Sequence, residues 1–307
     1  MKIGLIDVDG HNFPNLALMK ISAYHKAKGD NVNWVIPLET YDLVYQAKVF
    51  DDTYSKDINW MPQAEKVVKG GTGYGISNKL PDKIEHIYPD YSIYPKFTKN
   101  TAYGYLTRGC PRACGFCIVA EKEGRKSEKV ADLNEFWKGQ KYIKLLDPNL
   151  LACKHHLELL TQLSESGSWV DFTQGLDIRL INERNVEALN RVKTKQVHFA
   201  WDNPTDDLAD KFKEFNKLST IKDFRRKGVY ILTNYNSTLE QDLYRIYTLR
   251  DLGFNPYVMI YNKPKASKTT RLLQRWCNNR IIFNTCKNFK EYNSNMGREV
   301  LNETQNS

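Results

Sequence analysis

Between residues 102 and 260 six short apolar runs recur, each separated from the next by enough chain for a helix. No other feature of the chain constrains its fold so tightly. The runs cover residues 102–107, 142–146, 170–172, 196–200, 229–232 and 257–260. Antiparallel neighbours can be joined by a tight turn, whereas parallel strands need a crossover of helix length, so this spacing predicts a parallel sheet faced by helices. The helix ends are legible. Asp132 with Glu135 three residues on makes a capping box ahead of Phe136-Trp137, and Gly139 closes that helix. Residues 150–166 read as a long amphipathic helix stopped by Gly167, and residues 239–252 as another stopped by Gly253. Six such units predict a β/α barrel or a doubly wound sheet, and both collect ligands at the carboxyl ends of their strands.

The residues at those ends are polar in every case: Thr107-Arg108-Gly109-Cys110, Asp147-Pro148-Asn149, Thr173-Gln174-Gly175, Asp202-Asn203, Thr233-Asn234 and Tyr261-Asn262. Loops are wet in any protein, so each alone says little. Six in register beside a cysteine cluster say more.

The first hundred residues read as a separate α/β unit. Strands are expected at 2–6, 32–36, 43–50 and 66–69, with a helix over 16–28 that stops at Gly29 and a flexible Gly70-Gly71-Thr72-Gly73 loop. Pro81, Pro89 and Pro95 mark residues 76–100 as an extended linker. The expected organisation is therefore 1–75, a linker over 76–100, the repeating unit over 101–262, and an extension over 263–307.

Six cysteines in 307 residues are too few and too clustered for a disulfide framework, and closely spaced cysteines in a reducing compartment more often bind metal. Three fall in Cys110-Pro111-Arg112-Ala113-Cys114-Gly115-Phe116-Cys117. Thiolates at this spacing on one loop can take three corners of a cubane iron–sulfur cluster, and Gly109 and Gly115 supply the backbone freedom for the wrap. The fourth iron then has no nearby protein ligand, which leaves it open for chemistry. A structural zinc site would want a fourth ligand, and the next downstream Cys or His is Cys153. Cys153 sits among leucines and reads as a buried, inert thiol, and Cys277 and Cys286 read as structural. His155 and His156 are adjacent and read as surface residues.

This C-x3-C-x2-C motif, with an aromatic residue before its third cysteine and a strand before its first, resembles the signature of the radical S-adenosylmethionine superfamily. The resemblance covers about residues 102–262 and implies a partial (β/α)6 barrel. It also implies a [4Fe–4S] cluster on Cys110, Cys114 and Cys117, with S-adenosylmethionine chelated at the open iron. Reductive cleavage to a 5′-deoxyadenosyl radical follows from it, fed by a reductant such as flavodoxin or ferredoxin. Where the family has a Gly-Gly-Glu-like stretch, this chain has Leu145-Leu146-Asp147-Pro148-Asn149, which puts Asp147 and Asn149 near the methionine amino group. Gln174, Asp177 and Arg179 would meet the methionine carboxylate or ribose, with a surface ion pair as the alternative for Asp177 and Arg179. Asp202 and Asn234 complete the expected cofactor contacts.

Residues 1–75 resemble the small Rossmann-like domain that precedes the barrel in cobalamin-binding radical enzymes. Asp9-Gly10-His11-Asn12-Phe13-Pro14 partly matches Asp-x-His-x-x-Gly, but Pro14 stands where the motif has Gly. The expectation is a degenerate domain without cobalamin, with His11 capping a turn.

Charge bears on partners. Residues 1–100 hold 12 lysines, no arginine and 12 acids, whereas residues 262–307 hold 9 basic and 3 acidic residues and so carry most of the net +9. A basic extension can steer toward RNA, with Lys263, Lys265, Lys268, Arg271, Arg275 and Arg280 on phosphates and Trp276 or Phe283 stacking on bases. RNA modification by methyl or methylthio transfer is thus a narrower alternative, and an iron–sulfur electron carrier is an alternative of another class. Arg271, Arg275 and Trp276 fit equally well on an amphipathic helix capping the barrel. No apolar run approaches the roughly 20 residues of a membrane span, and the start of the chain does not read as a signal peptide, so a cytoplasmic protein is expected.

Overall fold

In the computed structural model, which describes residues 1–10 and 13–293, the protein is an α/β protein built on parallel sheets. His11 lies outside the described residues. Packing divides the chain into two compact units, Met1–Pro148 with Gln162–Val170, and Asn149–Thr161 with Asp171 onward.

The first unit opens with β1 (Lys2–Asp7), α1 (Leu16–Ala27), β2 (Asn31–Trp34), β3 (Thr40–Ala47) and β4 (Gln63–Gly70). The strands pair in the order β2-β1-β3-β4, all parallel. Central β1 is buried along most of its length because both faces are covered. On one face Ile3 and Leu5 meet Leu18 and Ile21 of α1; on the other, Ile6 packs with Tyr41 and Val44. Asn15 caps α1 by accepting from the Leu18 amide at 3.2 Å, and Gly29 at φ +81° follows its end. The third strand starts at Thr40 and ends at Ala47, earlier than the sequence suggests, and Val49 and Phe50 are exposed.

Residues 76–100 are not an extended linker. They form α2 (Asp82–Glu85) and α3 (Pro95–Thr98), and bury Ile84, Tyr94 and Thr98. Asp90 accepts from the Ser22 hydroxyl at 2.6 Å, and the Tyr91 hydroxyl donates to the Phe136 carbonyl at 2.6 Å. The prolines start and stop short turns here rather than extending the chain.

Next come β5 (Thr101–Gly104), β6 (Thr107–Arg108), α4 (Val119–Glu123), β7 (Glu128–Lys129) and β8 (Tyr142–Leu145). β5 and β8 are parallel, and β6 and β7 make a short antiparallel hairpin. The helix expected after Asp132 is a single 3-10 turn, Leu133–Glu135. Its capping box forms, but the Trp137 indole is drawn to the Gln140 carbonyl at 2.9 Å and the chain reverses at Gly139, φ +90°. The expected helix over 150–166 is also broken. Leu150–Ala152 is a 3-10 turn, Cys153 is extended, and α5 (His156–Glu165) begins beyond it. Leu150, Leu151 and Cys153 are all buried, which asks more of three near-consecutive positions than one helix face can hold.

β9 (Trp169–Phe172) spans the division between the units. The second unit continues with α6 (Glu183–Arg191), β10 (Thr194–Ala200), α7 (Ala209–Leu218), β11 (Lys227–Thr233), α8 (Leu239–Asp251), β12 (Asn255–Ile260), α9 (Lys268–Asn278) and α10 (Arg280–Thr285). Strand order is β5-β8-β9 in the first unit and β9-β10-β11-β12 in the second, each strand beside its predecessor, which is the order of an open β/α barrel. Along β10, Val197 and Phe199 face the helices, where Phe199 meets Phe212, Phe215 and Phe254 edge-on. In the extension, Trp276 and Phe283 are buried against each other, centroids 4.8 Å apart, and the Trp276 indole donates to the Cys286 carbonyl at 2.8 Å. Neither ring is available to stack on a base, so that expectation is corrected: α9 is an amphipathic helix packed on β12.

Candidate metal centre and strand-end groups

In the first unit the three clustered cysteines lie in the loop of the β6–β7 hairpin. The loop is held from below by side chains that bond its backbone. The Cys110 amide donates to the Gly124 carbonyl at 3.1 Å, and the Cys117 amide to the Cys114 carbonyl at 3.0 Å. Gly109 sits at φ +83°, where a Cβ would lie 2.0 Å from the Lys126 carbonyl oxygen, so no other residue fits without moving the backbone. Glu123 accepts from the Gly109 amide at 3.1 Å and from the Arg108 guanidinium at 2.8 Å, and Arg108 also reaches Glu85 at 3.2 Å. The result is a loop with a fixed base, in which Cys110 and Cys114 are half-buried and Cys117 is exposed.

The donor set fits an iron–sulfur cluster in chemistry: three thiols on one loop, none in a disulfide, in the hairpin that follows parallel β5. Among the described residues no three His, Cys, Asp or Glu side chains converge as a group that could hold a metal ion, so the thiol side chains have not closed into a ligand set. Cys153, Cys277 and Cys286 are buried as expected, and burial pushes the Cys277 thiol up.

Asp147 has a different neighbourhood from the one the sequence suggests. It is 4% exposed, and its carboxylate accepts from the Leu106 amide at 3.1 Å, the Thr107 amide at 2.5 Å and the Thr107 hydroxyl at 2.7 Å. Burial pushes its carboxyl up to about 6, against the pull of those bonds. The carboxylate clasps the segment that feeds the cysteine loop.

The second unit's strand ends are mostly engaged with one another. Asn149 is buried, with its amide nitrogen 3.5 Å from an Asp177 oxygen. Arg179 pairs with Asp177 at 2.7 Å and with Asp206 at 3.1 Å, while Asp177 also caps the turn Ile178–Leu180. Asp202 accepts from the Leu232 amide at 3.1 Å, and burial pushes its carboxyl up to about 6 although Arg245 and Arg179 pull it down. Asn234, at φ +62°, donates to the Tyr261 carbonyl at 2.8 Å. Gln174 is exposed.

Sequence reasoning passed over one group. Asp171, His198 and Tyr230 occupy successive strands on the sheet face opposite the helices. Their signal was present: each is a polar or amphipathic residue flanked by buried apolar neighbours, as in Val170-Asp171-Phe172 and Val197-His198-Phe199. A period-two reading of the strands would have placed them on one face.

No protein-family model matches the chain. No curated protein matches it either. Among solved structures it is similar to a radical S-adenosylmethionine methyltransferase, TsrM, from Kitasatospora setae with cobalamin and a [4Fe–4S] cluster bound, at 11% identity and a TM-score of 0.43, covering 85% of this chain and 69% of that one. A likeness of this degree assigns neither family nor activity. Among the described residues no helix is long and apolar enough to cross a membrane.

Proposed function

We propose that the chain is a radical S-adenosylmethionine enzyme whose Cys110, Cys114 and Cys117 hold a [4Fe–4S] cluster. The observation that carries this reading is the C-x3-C-x2-C loop itself, set in the β6–β7 hairpin that follows parallel β5, on a backbone that bonds at its base. Bound there, the cluster would pass one electron to the sulfonium of S-adenosylmethionine, giving methionine and a 5′-deoxyadenosyl radical.

The chain's own residues divide the work. Asp147 and Glu123 fix the backbone on the approach to Cys110, through Leu106, Thr107 and Gly109. Gln174, with an exposed amide, is the better donor to S-adenosylmethionine, since the amide of buried Asn149 is set against Asp177. Asp177, Arg179, Asp202 and Asn234 already hold partners within their own unit and would have to exchange them. A polyanionic substrate such as RNA is a second reading, favoured by the exposure of Lys263, Lys265, Lys268, Arg271, Arg275 and Arg280. Its mark would be affinity that falls steeply with salt.

The deciding experiment is anaerobic reconstitution with iron and sulfide, reduction, addition of S-adenosylmethionine, and chromatography for 5′-deoxyadenosine. The expected result is 5′-deoxyadenosine from the wild type and none from Cys114→Ala. A wild type that takes up no iron overturns the reading, and one that holds a cluster yet neither binds nor cleaves S-adenosylmethionine is an electron carrier instead.

A further inference from the structure

The cysteine loop has two arms, and both are tied to the amino-terminal sheet of the same compact unit. Arg108 stands on the entry arm, in β6, just ahead of Gly109 and Cys110. Its guanidinium reaches Glu85 of α2 at 3.2 Å, and Glu85 in turn meets the Lys20 amine at 3.0 Å. Lys20 also donates to the Glu85 carbonyl. It belongs to α1, whose Leu18 and Ile21 are buried with Ile3 and Leu5 of β1. Lys122 stands on the exit arm, in α4, and its amine donates to the hydroxyl of Thr72 at 2.6 Å, in the loop that follows β4. Beside it, Glu123 joins the arms by accepting from the Arg108 guanidinium and the Gly109 amide.

The anchors are themselves fixed. A Cβ at Gly71 would lie 2.3 Å from the Lys48 carbonyl oxygen, and one at Gly73 would lie 2.3 Å from that of Phe50. The Gly73 amide donates to the Lys48 carbonyl at 2.9 Å. The Gly71-Thr72-Gly73 loop, where the sequence suggests flexibility, is therefore packed on the chain that leaves β3, and its one hydroxyl is turned to the cysteine hairpin. The ion pairs are largely withdrawn from water: the side chains of Lys20, Glu85, Arg108 and Glu123 are 13%, 28%, 28% and 12% exposed. Pairs out in solvent are screened and hold little, whereas removing one partner of a largely buried pair strands the other.

We infer that the amino-terminal sheet is a brace for the cysteine loop. Lys20, Glu85, Thr72 and Lys122 are positioning residues that hold both arms, so that the three thiols between them can close on one cluster. The need is entropic. A loop free at both ends would surrender its conformational freedom only when the cluster binds, at the expense of affinity; one held at both ends has surrendered part of it on folding. Partners lying outside the ligands of a metal site carry about 10–100-fold in metal affinity for this reason. The brace gives residues 1–75 a task that requires no cofactor of their own. The inference rests on the proposed function in taking Cys110, Cys114 and Cys117 as cluster ligands.

The test reads the loop before any iron is added. Hydrogen exchange of the full, cluster-free chain, followed by mass spectrometry, should run about tenfold faster over residues 107–124 in Glu85→Ala and in Thr72→Val than in the wild type. Residues 41–47 of β3 should exchange as in the wild type, and Thr72→Ser, which keeps the hydroxyl, should restore the hairpin. After reconstitution, Glu85→Ala and Thr72→Val should lose iron to a chelator about tenfold faster, with an altered visible circular dichroism of the cluster. Unchanged exchange over 107–124 in either variant, or iron lost at the wild-type rate, overturns the inference. So does faster exchange spread evenly over β1–β4, since the ties would then serve the sheet and not the loop, and so does a Thr72→Ser protein that behaves as Thr72→Val. A wild type that takes up no iron would sink the proposed function and leave the exchange result standing. Cleavage of S-adenosylmethionine with unchanged exchange would sink the brace alone.

Discussion

The loop after the first unit's second sheet begins and the loops that end the second unit's strands answer the same topological demand in opposite ways. In the first, side chains bond the backbone: Asp147 takes the amides of Leu106 and Thr107, and Glu123 takes that of Gly109. The three thiols stand on that braced backbone. In the second, side chains bond mostly side chains and carbonyls, although Asp202 also takes the Leu232 amide. Arg179 pairs with Asp177 and Asp206, and fully buried Arg245 donates to the carbonyls of Trp201, Asp202 and Leu232 and to Asp242. A polar residue after a strand is therefore weak evidence for a ligand. What matters is whether its hydrogen bonds are already taken within the fold.

This contrast can be broken at four places. The largest effect is expected at Cys114→Ala, which should remove the brown absorbance and iron content altogether, while Cys153→Ala, in the core, should leave both unchanged. If both variants lose iron equally, the loop is not the ligand source. Next, Arg245→Met should destabilise the protein by ~3–5 kcal/mol, because it strands the Asp242 carboxylate in a buried site. Denaturant unfolding should show the loss, with iron content per folded molecule unaltered. Gly109→Ala should cost about 2–3 kcal/mol, since it combines a left-handed backbone with a Cβ inside the Lys126 carbonyl. Here the cluster should be lost before the fold, with iron per folded molecule down at least severalfold. A Gly109→Ala protein with full iron would show that the hairpin base does not order the thiols.

The last effect concerns Asp147 and pH. Its carboxyl is pushed up to about 6 in the fold from an ordinary value of 3.8. A raised acid binds its proton more tightly when folded, so its contribution to stability is complete below about 3.8 and is lost as pH climbs through about 6. Asp147→Asn should therefore flatten the stability profile of the cluster-free protein across that window, by about 3 kcal/mol at most. An unchanged profile would mean that the amides of Leu106 and Thr107, not burial, govern this carboxyl.

Much of the architecture was legible in the sequence. Ten apolar runs marked strands that are present, since short apolar segments with turn signals between them can bury themselves in few other ways. Gly29 and Gly253 marked true helix ends, both at positive φ. The failures came where a local signal met a tertiary demand. The capping box at Asp132 formed but launched only one turn, because Trp137 and Gly139 turn the chain away. The 150–166 helix split because the core wanted Leu150, Leu151 and Cys153 together.

The sequence by itself determined the alternation of strand and crossover and the spacing of three thiols on one loop. Both are written in the order of residues along the chain. Only the tertiary structure decided which polar groups are already bonded. It turned Asp147 toward the amides of Leu106 and Thr107, buried Trp276 and Phe283 away from any base, and aligned Asp171, His198 and Tyr230 from three strands on one face. Hydrogen-bond partners and exposure depend on which distant segments come within about 3 Å of each other, and one-dimensional spacing does not contain that distance.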